Sequence, residues 1–242
     1  MYLNCHTYYS LRYGTFSEVA LLELARENQV TQLALTDINN TSAGLNFVRK
    51  ATEYNIKPIL GIDFRNGADQ CFVGIAKNND GYQELNAFLS ACLHEEKEIP
   101  QRAPKFKHAF IIYPFEKVLL NDQTDFREQE FIGISIKDLR RLPFSRLVEK
   151  KGKLVVLQPV TFRNKRDFNA HRLLRAIDKN VLLSKLPKEE EADEDEKIFP
   201  IQNLAMAFTE FPIILENTEW LMNYCSIHFE FSKNRIPQNL QT

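Results

Sequence analysis

A closed α/β barrel is the fold this sequence predicts, and three observations carry the expectation. Short apolar runs alternate with stretches of helical periodicity over roughly 180 residues, the mark of strands that lie parallel with helices outside. Six or seven such runs follow one unbroken pattern, which favours closure over an open sheet. The chain has 242 residues, 44% of them hydrophobic, enough for a barrel in one domain. In such barrels the chemistry sits at the C-terminal strand ends.

The elements read in order as follows. Residues 2–5 are strand-like. Ser17 suits a helix N-cap, with Glu18 in the first turn and Val19, Leu22, Leu24 and Ala25 as the apolar face. Residues 32–36 form a second strand, and Thr41 or Ser42 opens a helix to about residue 54. Residues 56–62 give a third strand. Asn66-Gly67 is a hairpin signal that joins residues 61–65 to a strand at 71–76. Asp80 is expected to cap a helix to about residue 92, and residues 94–107 read as a polar loop with two prolines. Strands follow at 110–113 and 131–135, a helix at 136–148, and a last clear strand at 153–160. Asn164 or Asp167 starts a long helix towards residue 180. The acidic run 188–197, KEEEADEDEK, reads as a solvated, mobile loop. Two C-terminal helices are expected at 201–208 and 212–226, with Pro212 in a first turn.

Composition excludes several classes. With 31 basic and 32 acidic side chains the net charge is -1, so no global field favours nucleic acid. No apolar run approaches the roughly 20 residues of a membrane span, and the N-terminus has no signal-peptide pattern. Cys5, Cys71, Cys92 and Cys225 lie far apart without a CxxC pair and are expected as buried free thiols. A soluble cytoplasmic protein is the expectation.

The strand ends hold the candidate chemistry. The first ends at His6, the second at Asp37, and the third reaches Asp63. Such a His/carboxylate set suits Zn, Mn or Fe, and two such metals could activate water against a phosphoester. The same residues also suit a structural role, with Asp37 ordering the turn after it and His6 hydrogen-bonded in the interior. Arg163, Lys165, Arg166, Arg172 and Arg175 form the best nucleic-acid candidate, Arg172 and Arg175 sharing a helix face. The alternative is a solvated helix face or a seam to a neighbouring domain.

Ordered motifs across essentially the whole chain resemble the PHP (polymerase and histidinol phosphatase) domain of bacterial replicative DNA polymerase III alpha subunits, in a Bacteroidetes-like variety. Asn4-Cys5-His6-Thr7-Tyr8-Tyr9-Ser10, then Tyr13-Gly14, stands where the family has His-x-His-Ser-x-x-Ser and Asp-Gly. Ala34-Leu35-Thr36-Asp37-Ile38 stands for Ala-Leu-Thr-Asp-His. Ile56-Lys57-Pro58-Ile59-Leu60-Gly61-Ile62-Asp63 stands for a motif that ends in Glu. The family's Asn-Asp-x-His strand end falls on Gln158-Pro159-Val160-Thr161, and its following Ala-His on Ala170-His171. The resemblance implies a PHP-type distorted (β/α)7 barrel with extra C-terminal helices over residues 1–230, then a linker over 231–242 towards a polymerase palm.

The resemblance also implies a site of up to three divalent metals, of which this chain keeps His6 and Asp37, with Asp63 in place of Glu. Asn4, Tyr13, Ile38, Pro159 and Thr161 are poor or impossible replacements for the remaining ligands. The expectation is a degenerate metal site with no catalytic residues. It carries no cofactor, or at most a weakly held Zn or Mn. The domain is then a structural part of a DNA-directed DNA polymerase. Its implied partners are the rest of the alpha chain, a proofreading exonuclease subunit, and DNA through the full-length protein, with no membrane. The rival expectation is a divalent-metal phosphoesterase or 3′–5′ exonuclease, and a third is a stand-alone binding module.

Overall fold

The computed structural model describes residues 1–231. The expected linker at 231–242 therefore lies, from residue 232 onward, outside the described residues. Strands β1 (Asn4–Cys5), β2 (Gln32–Leu35), β3 (Lys57–Asn66), β4 (Asp69–Ala76), β5 (Ala109–Pro114), β6 (Glu130–Ile134), β7 (Leu154–Val156) and β8 (Pro159–Val160) are interleaved with helices. These are α1 (Glu18–Glu27), α2 (Gly44–Ala51), α3 (Asn79–His94), α4 (Phe115–Leu120), α5 (Lys165–Asp178), α6 (Ile201–Ala207) and α7 (Pro212–Tyr224).

The strands close into a ring. Strands β2 to β7 form one six-stranded sheet in sequence order, and β1 pairs with β8 in parallel. The β1 segment joins β2 through Ala34 N–H to Tyr2 O at 2.9 Å and Thr36 N–H to Cys5 O at 3.0 Å. Only Leu157 and Gln158 separate β7 from β8, so these two are halves of one interrupted strand. The first half pairs with β6 and the second with β1, which closes a seven-stranded barrel. Strand β4 alone runs antiparallel to both neighbours, the consequence of the β3–β4 hairpin.

That hairpin sits one residue later than expected. Asn66 pairs with Asp69, so Gly67 and Ala68 are the loop. Gly67 has φ 61°. A positive φ on the first loop residue alone is the pattern of a type II′ turn, which favours glycine there. On β3, Gly61 permits close approach: a Cβ there would lie 2.3 Å from the Gly74 carbonyl oxygen.

Two apolar layers follow from strand alternation. Ala34, Ile59, Val73, Ile75, Phe110, Ile112, Phe131, Val155 and Leu157 pack with Leu3 inside the ring. Leu221, Met222 and Cys225 join them and close one end. That end is the N-terminal one for β3 and β7, because Lys57 Nζ donates to Met222 O at 2.9 Å and Asn217 Nδ2 donates to Leu154 O at 2.8 Å. The opposite mouth, at the C-terminal strand ends, is left to His6, Asp37, Asp63 and Thr161. A second layer packs the helices on the outside of the strands.

Several local expectations shift. Asn78, not Asp80, caps α3, its side chain accepting from Gly81 N–H at 3.0 Å. Asn164 caps α5 by accepting from Arg166 and Asp167 N–H. Helix α2 begins at Gly44 without a side-chain cap, and a 3-10 turn at Thr52–Tyr54 continues it. The helix expected at 136–148 is three short 3-10 turns instead, Ile136–Arg140, Leu142–Phe144 and Arg146–Glu149. Pro143, which lacks an N–H, and Ser145, in extended backbone, break a continuous ladder there. All four cysteines are free and buried. Among the described residues no helix is long and apolar enough to cross a membrane.

Candidate functional site

His6 and Asp63 meet at the mouth. The His6 N–H donates to Val160 O at 2.9 Å, which fixes the residue just past β1. From there Nε2 reaches Asp63 Oδ2 at 2.9 Å, and Nδ1 lies 2.9 Å from Thr161 Oγ1. The Thr161 hydroxyl also lies 2.5 Å from Glu196 Oε2, so a chain Asp63–His6–Thr161–Glu196 links the interior to the acidic run. His6 and Asp63 are both fully buried.

Asp63 is dominated by Arg65, its neighbour two residues along β3. Arg65 donates to Asp63 Oδ2 from Nε at 2.9 Å and from Nη2 at 2.7 Å, and Gln70 Nε2 adds a donor at 2.9 Å. Burial alone would raise the Asp63 pKa, but Arg65 and His6 override it and hold the carboxyl at about 2. The ionised carboxylate can only accept, so His6 Nε2 carries the proton in their hydrogen bond. Burial works against the charge of Arg65, and Asp63 and Tyr13 more than restore it. Arg65 Nη1 donates to the Tyr13 hydroxyl at 3.2 Å, and the guanidinium lies 5.0 Å from the Tyr13 ring centre. The signal for Arg65 was present in the sequence: two residues beyond Asp63 on one strand, it shares Asp63's face.

Asp37 belongs to a different cluster. Its Oδ1 accepts from Thr7 N–H at 2.6 Å and Ser10 Oγ at 2.7 Å, and its Oδ2 from Thr7 Oγ1 at 2.8 Å. Ser10 Oγ in turn accepts from Ile38 N–H at 2.9 Å. Burial pushes the Asp37 pKa up despite these donors. Asp37 therefore orders the loop after β1. Asn4 Oδ1 accepts from Thr36 Oγ1 at 3.1 Å, Pro159 pairs with Asn4 across the β1–β8 ladder, and Ile38 bridges to Asp63 through backbone.

A metal centre does not fit these residues. Both His6 nitrogens and both Asp37 oxygens are engaged, and Asp63 Oδ2 already takes four donors. Of the side-chain atoms of His6, Asp37 and Asp63, only Asp63 Oδ1 is buried without a hydrogen-bond partner among the described residues. One free oxygen is not a coordination shell. Among the described residues no group of three or more His, Cys, Asp or Glu is placed to hold an ion. The mouth opens into a cleft of about 460 Å³ lined by Tyr13, Arg65, Gln70, Lys137 and the acidic run. His6, Asp37 and Asp63 do not line it; Arg65 and Tyr13 form the floor above them.

The acidic run departs from the mobile loop expected of its composition. It folds back across the mouth, with Ala192 buried. His171 accepts from Ala192 N–H through Nε2 at 3.0 Å and donates from Nδ1 to Tyr13 O at 2.8 Å. Arg172 binds Glu191 at 2.8 Å, Arg175 binds Glu190 at 2.5 Å, and Lys179 binds Glu190 at 2.6 Å. The candidate nucleic-acid residues are thus divided. Arg163 is paired with Asp167, and Arg172 and Arg175 hold the acidic run, while Lys165 and Arg166 stand exposed in the first turn of α5.

Known proteins agree with this frame. The chain is 25% identical over 267 residues to the DNA polymerase III subunit alpha of Halalkalibacterium halodurans, covering 98% of this chain and 24% of that protein. It is 25% identical over 236 residues to the corresponding subunit of Ureaplasma parvum, covering 97% of this chain and 22% of that one. The Bacillus subtilis subunit shares 24% identity over 270 residues, again across 98% of this chain. The chain therefore spans about a quarter of the length of these curated relatives. The sequence profile of the PHP domain matches residues 3–124, from β1 through α4, which takes in His6, Asp37, Asp63 and Arg65. With half of its length matched and a seven-stranded ring closed around those residues, the chain belongs to the PHP domain family.

Proposed function

We propose that this chain is a catalytically silent PHP domain, the N-terminal part of a replicative DNA polymerase alpha subunit. In this reading it acts in the cytoplasm as a scaffold for the polymerase that follows it. The observation that carries the reading is the Arg65 guanidinium on Asp63. A metal-dependent phosphoesterase needs carboxylates and imidazoles with lone pairs facing an open cleft. Here Asp63 faces an arginine, Asp37 faces Thr7 and Ser10, and His6 donates to Asp63. None of the three is a catalytic or metal-binding residue in this account.

The supporting partners follow from the same logic. The relatives' extra length makes the remainder of an alpha chain the first partner, with a proofreading exonuclease subunit as a second. DNA contact through this domain falls to Lys165 and Arg166, because Arg163, Arg172 and Arg175 are already neutralised. Such phosphate contacts would add affinity without sequence preference.

The test is hydrolysis. Purified protein should leave a 3′-labelled single strand and a chromogenic phosphodiester intact across Mg, Mn and Zn. Metal-stimulated cleavage that Asp37→Asn abolishes would overturn the reading and restore the phosphoesterase.

A further inference from the structure

Asp63 is a fully buried carboxylate, and a buried charge persists only when it is paired and hydrogen-bonded. Its companion is Arg65, donating twice to Oδ2 at 2.9 and 2.7 Å. The guanidinium has a second partner in Tyr13. The Tyr13 hydroxyl accepts from Nη1 at 3.2 Å, and the Tyr13 ring lies 5.0 Å away. That ring is itself braced, edge-on to His6 at 5.6 Å and to His171 at 4.6 Å. Glu196 adds negative charge that favours the cation. An acid, an aromatic face and a phenol oxygen therefore converge on one planar cation.

The donors around Asp63 decide what kind of cation suits the place. His6 Nε2 and Gln70 Nε2 both present hydrogens to Oδ2. A divalent ion needs lone pairs, and these two nitrogens turn hydrogens towards the carboxylate instead. A guanidinium instead supplies hydrogens to the carboxylate and lies on the aromatic face. The pocket is shaped for a planar organic cation, and the chain provides that cation from its own strand.

We propose that Arg65 is a tethered internal cation, and that a chain lacking it carries a binding site for a free guanidinium-class ligand between Asp63 and Tyr13. The inference rests on the reading of a mouth that holds no metal. The two fail separately, because hydrolysis by the wild-type protein would defeat that reading, whereas the following titration addresses only the Arg65 pocket.

The test is chemical rescue. Arg65→Ala is melted in the presence of methylguanidinium in the low millimolar range, with sodium chloride, Mn and Zn as separate arms. The variant should melt below wild type and recover saturably with methylguanidinium alone. At ten times its Kd the ligand multiplies the folded-to-unfolded ratio about 11-fold, a rise of a few degrees for a chain of this size. Wild type and the double variant Asp63→Asn/Arg65→Met should not respond, the first because the place is filled and the second because the acceptor charge is gone. Should Arg65→Ala be unfolded, the readout is regain of its far-ultraviolet circular dichroism on titration, with the folded double variant as reference. No rescue in either readout overturns the proposal. So does equal rescue of the double variant, or a larger response to Mn or Zn than to methylguanidinium.

Discussion

Acidification isolates the clip that holds the acidic run over the mouth. His171 is fully buried, accepts from Ala192 N–H and donates to Tyr13 O, so only its neutral form satisfies both partners. Burial lowers its pKa from 6.5 to about 4; Arg175 and His6 push the same way, and the Tyr13 carbonyl and Glu191 oppose them. A folded pKa below the unfolded one means that the unfolded chain takes up the proton first. Stability from this group is therefore full above about pH 6.5 and falls as the pH drops towards about 4. By about pH 5 the linkage relation gives a loss of roughly 2 kcal/mol from this group. Most carboxylates are still ionised there. Urea unfolding of wild type and His171→Gln at intervals between about pH 7.5 and about pH 5 separates this loss from that of other groups. Wild type should lose about 2 kcal/mol more across the window than the variant. Parallel pH profiles for the two proteins would refute the assignment.

Other expectations follow from single contacts. Ser10→Ala removes a donor to Asp37 and the acceptor of Ile38 N–H, and chemical denaturation should show a loss of about 1–3 kcal/mol. Gly61→Ala forces a Cβ against the Gly74 carbonyl, so the same assay should report a loss of about 1–3 kcal/mol, and a neutral result would mean that β3 and β4 can part freely. Arg175→Met leaves Glu190 with Lys179 as its ion-pair partner and should hasten protease cleavage within residues 188–197 while leaving the barrel resistant. Asp63 contributes stability that is present above its unfolded pKa of about 4 and is lost as the pH falls towards about 2. Asp63→Asn/Arg65→Met should therefore unfold with a shallower acid dependence below about pH 4 than wild type.

Much of the barrel was legible because its signals are local. Apolar runs mark the strands, Ser17 and Asn164 mark helix starts by side-chain capping, and Pro212 sits at the first turn of α7 as its fixed φ prefers. What was not legible depended on partners far away in sequence. The acidic run has the composition of a solvated loop, yet Arg172, Arg175, His171 and Thr161 tie it down from elements that only the fold brings near. The 136–148 segment has helical periodicity, but Pro143 and the extended Ser145 divide it into 3-10 turns.

The candidate site shows the same division. Motif spacing placed His6, Asp37 and Asp63 at neighbouring strand ends, and the structure puts all three at the mouth. Their chemistry was set by residues of other types. Thr7 and Ser10 claim Asp37, and Arg65 claims Asp63. Inspecting strand ends for metal ligands looks for acids and imidazoles, so an arginine on the same face two residues along β3 escaped notice although alternation alone places it there. Ring closure was hidden for a geometric reason: β7 and β8 look like one strand in sequence, and only the pairing shows that its halves serve different neighbours.

The central claim is that an arginine, not a metal ion, balances the buried acid at the barrel mouth. Elemental analysis of the native protein, purified without chelator and equilibrated with Zn or Mn before desalting, tests it most directly. Far less than one metal per chain is expected, with a melting temperature unchanged by either ion or by later chelation. One tightly held equivalent of Zn or Mn, lost together with stability on chelation, would contradict it.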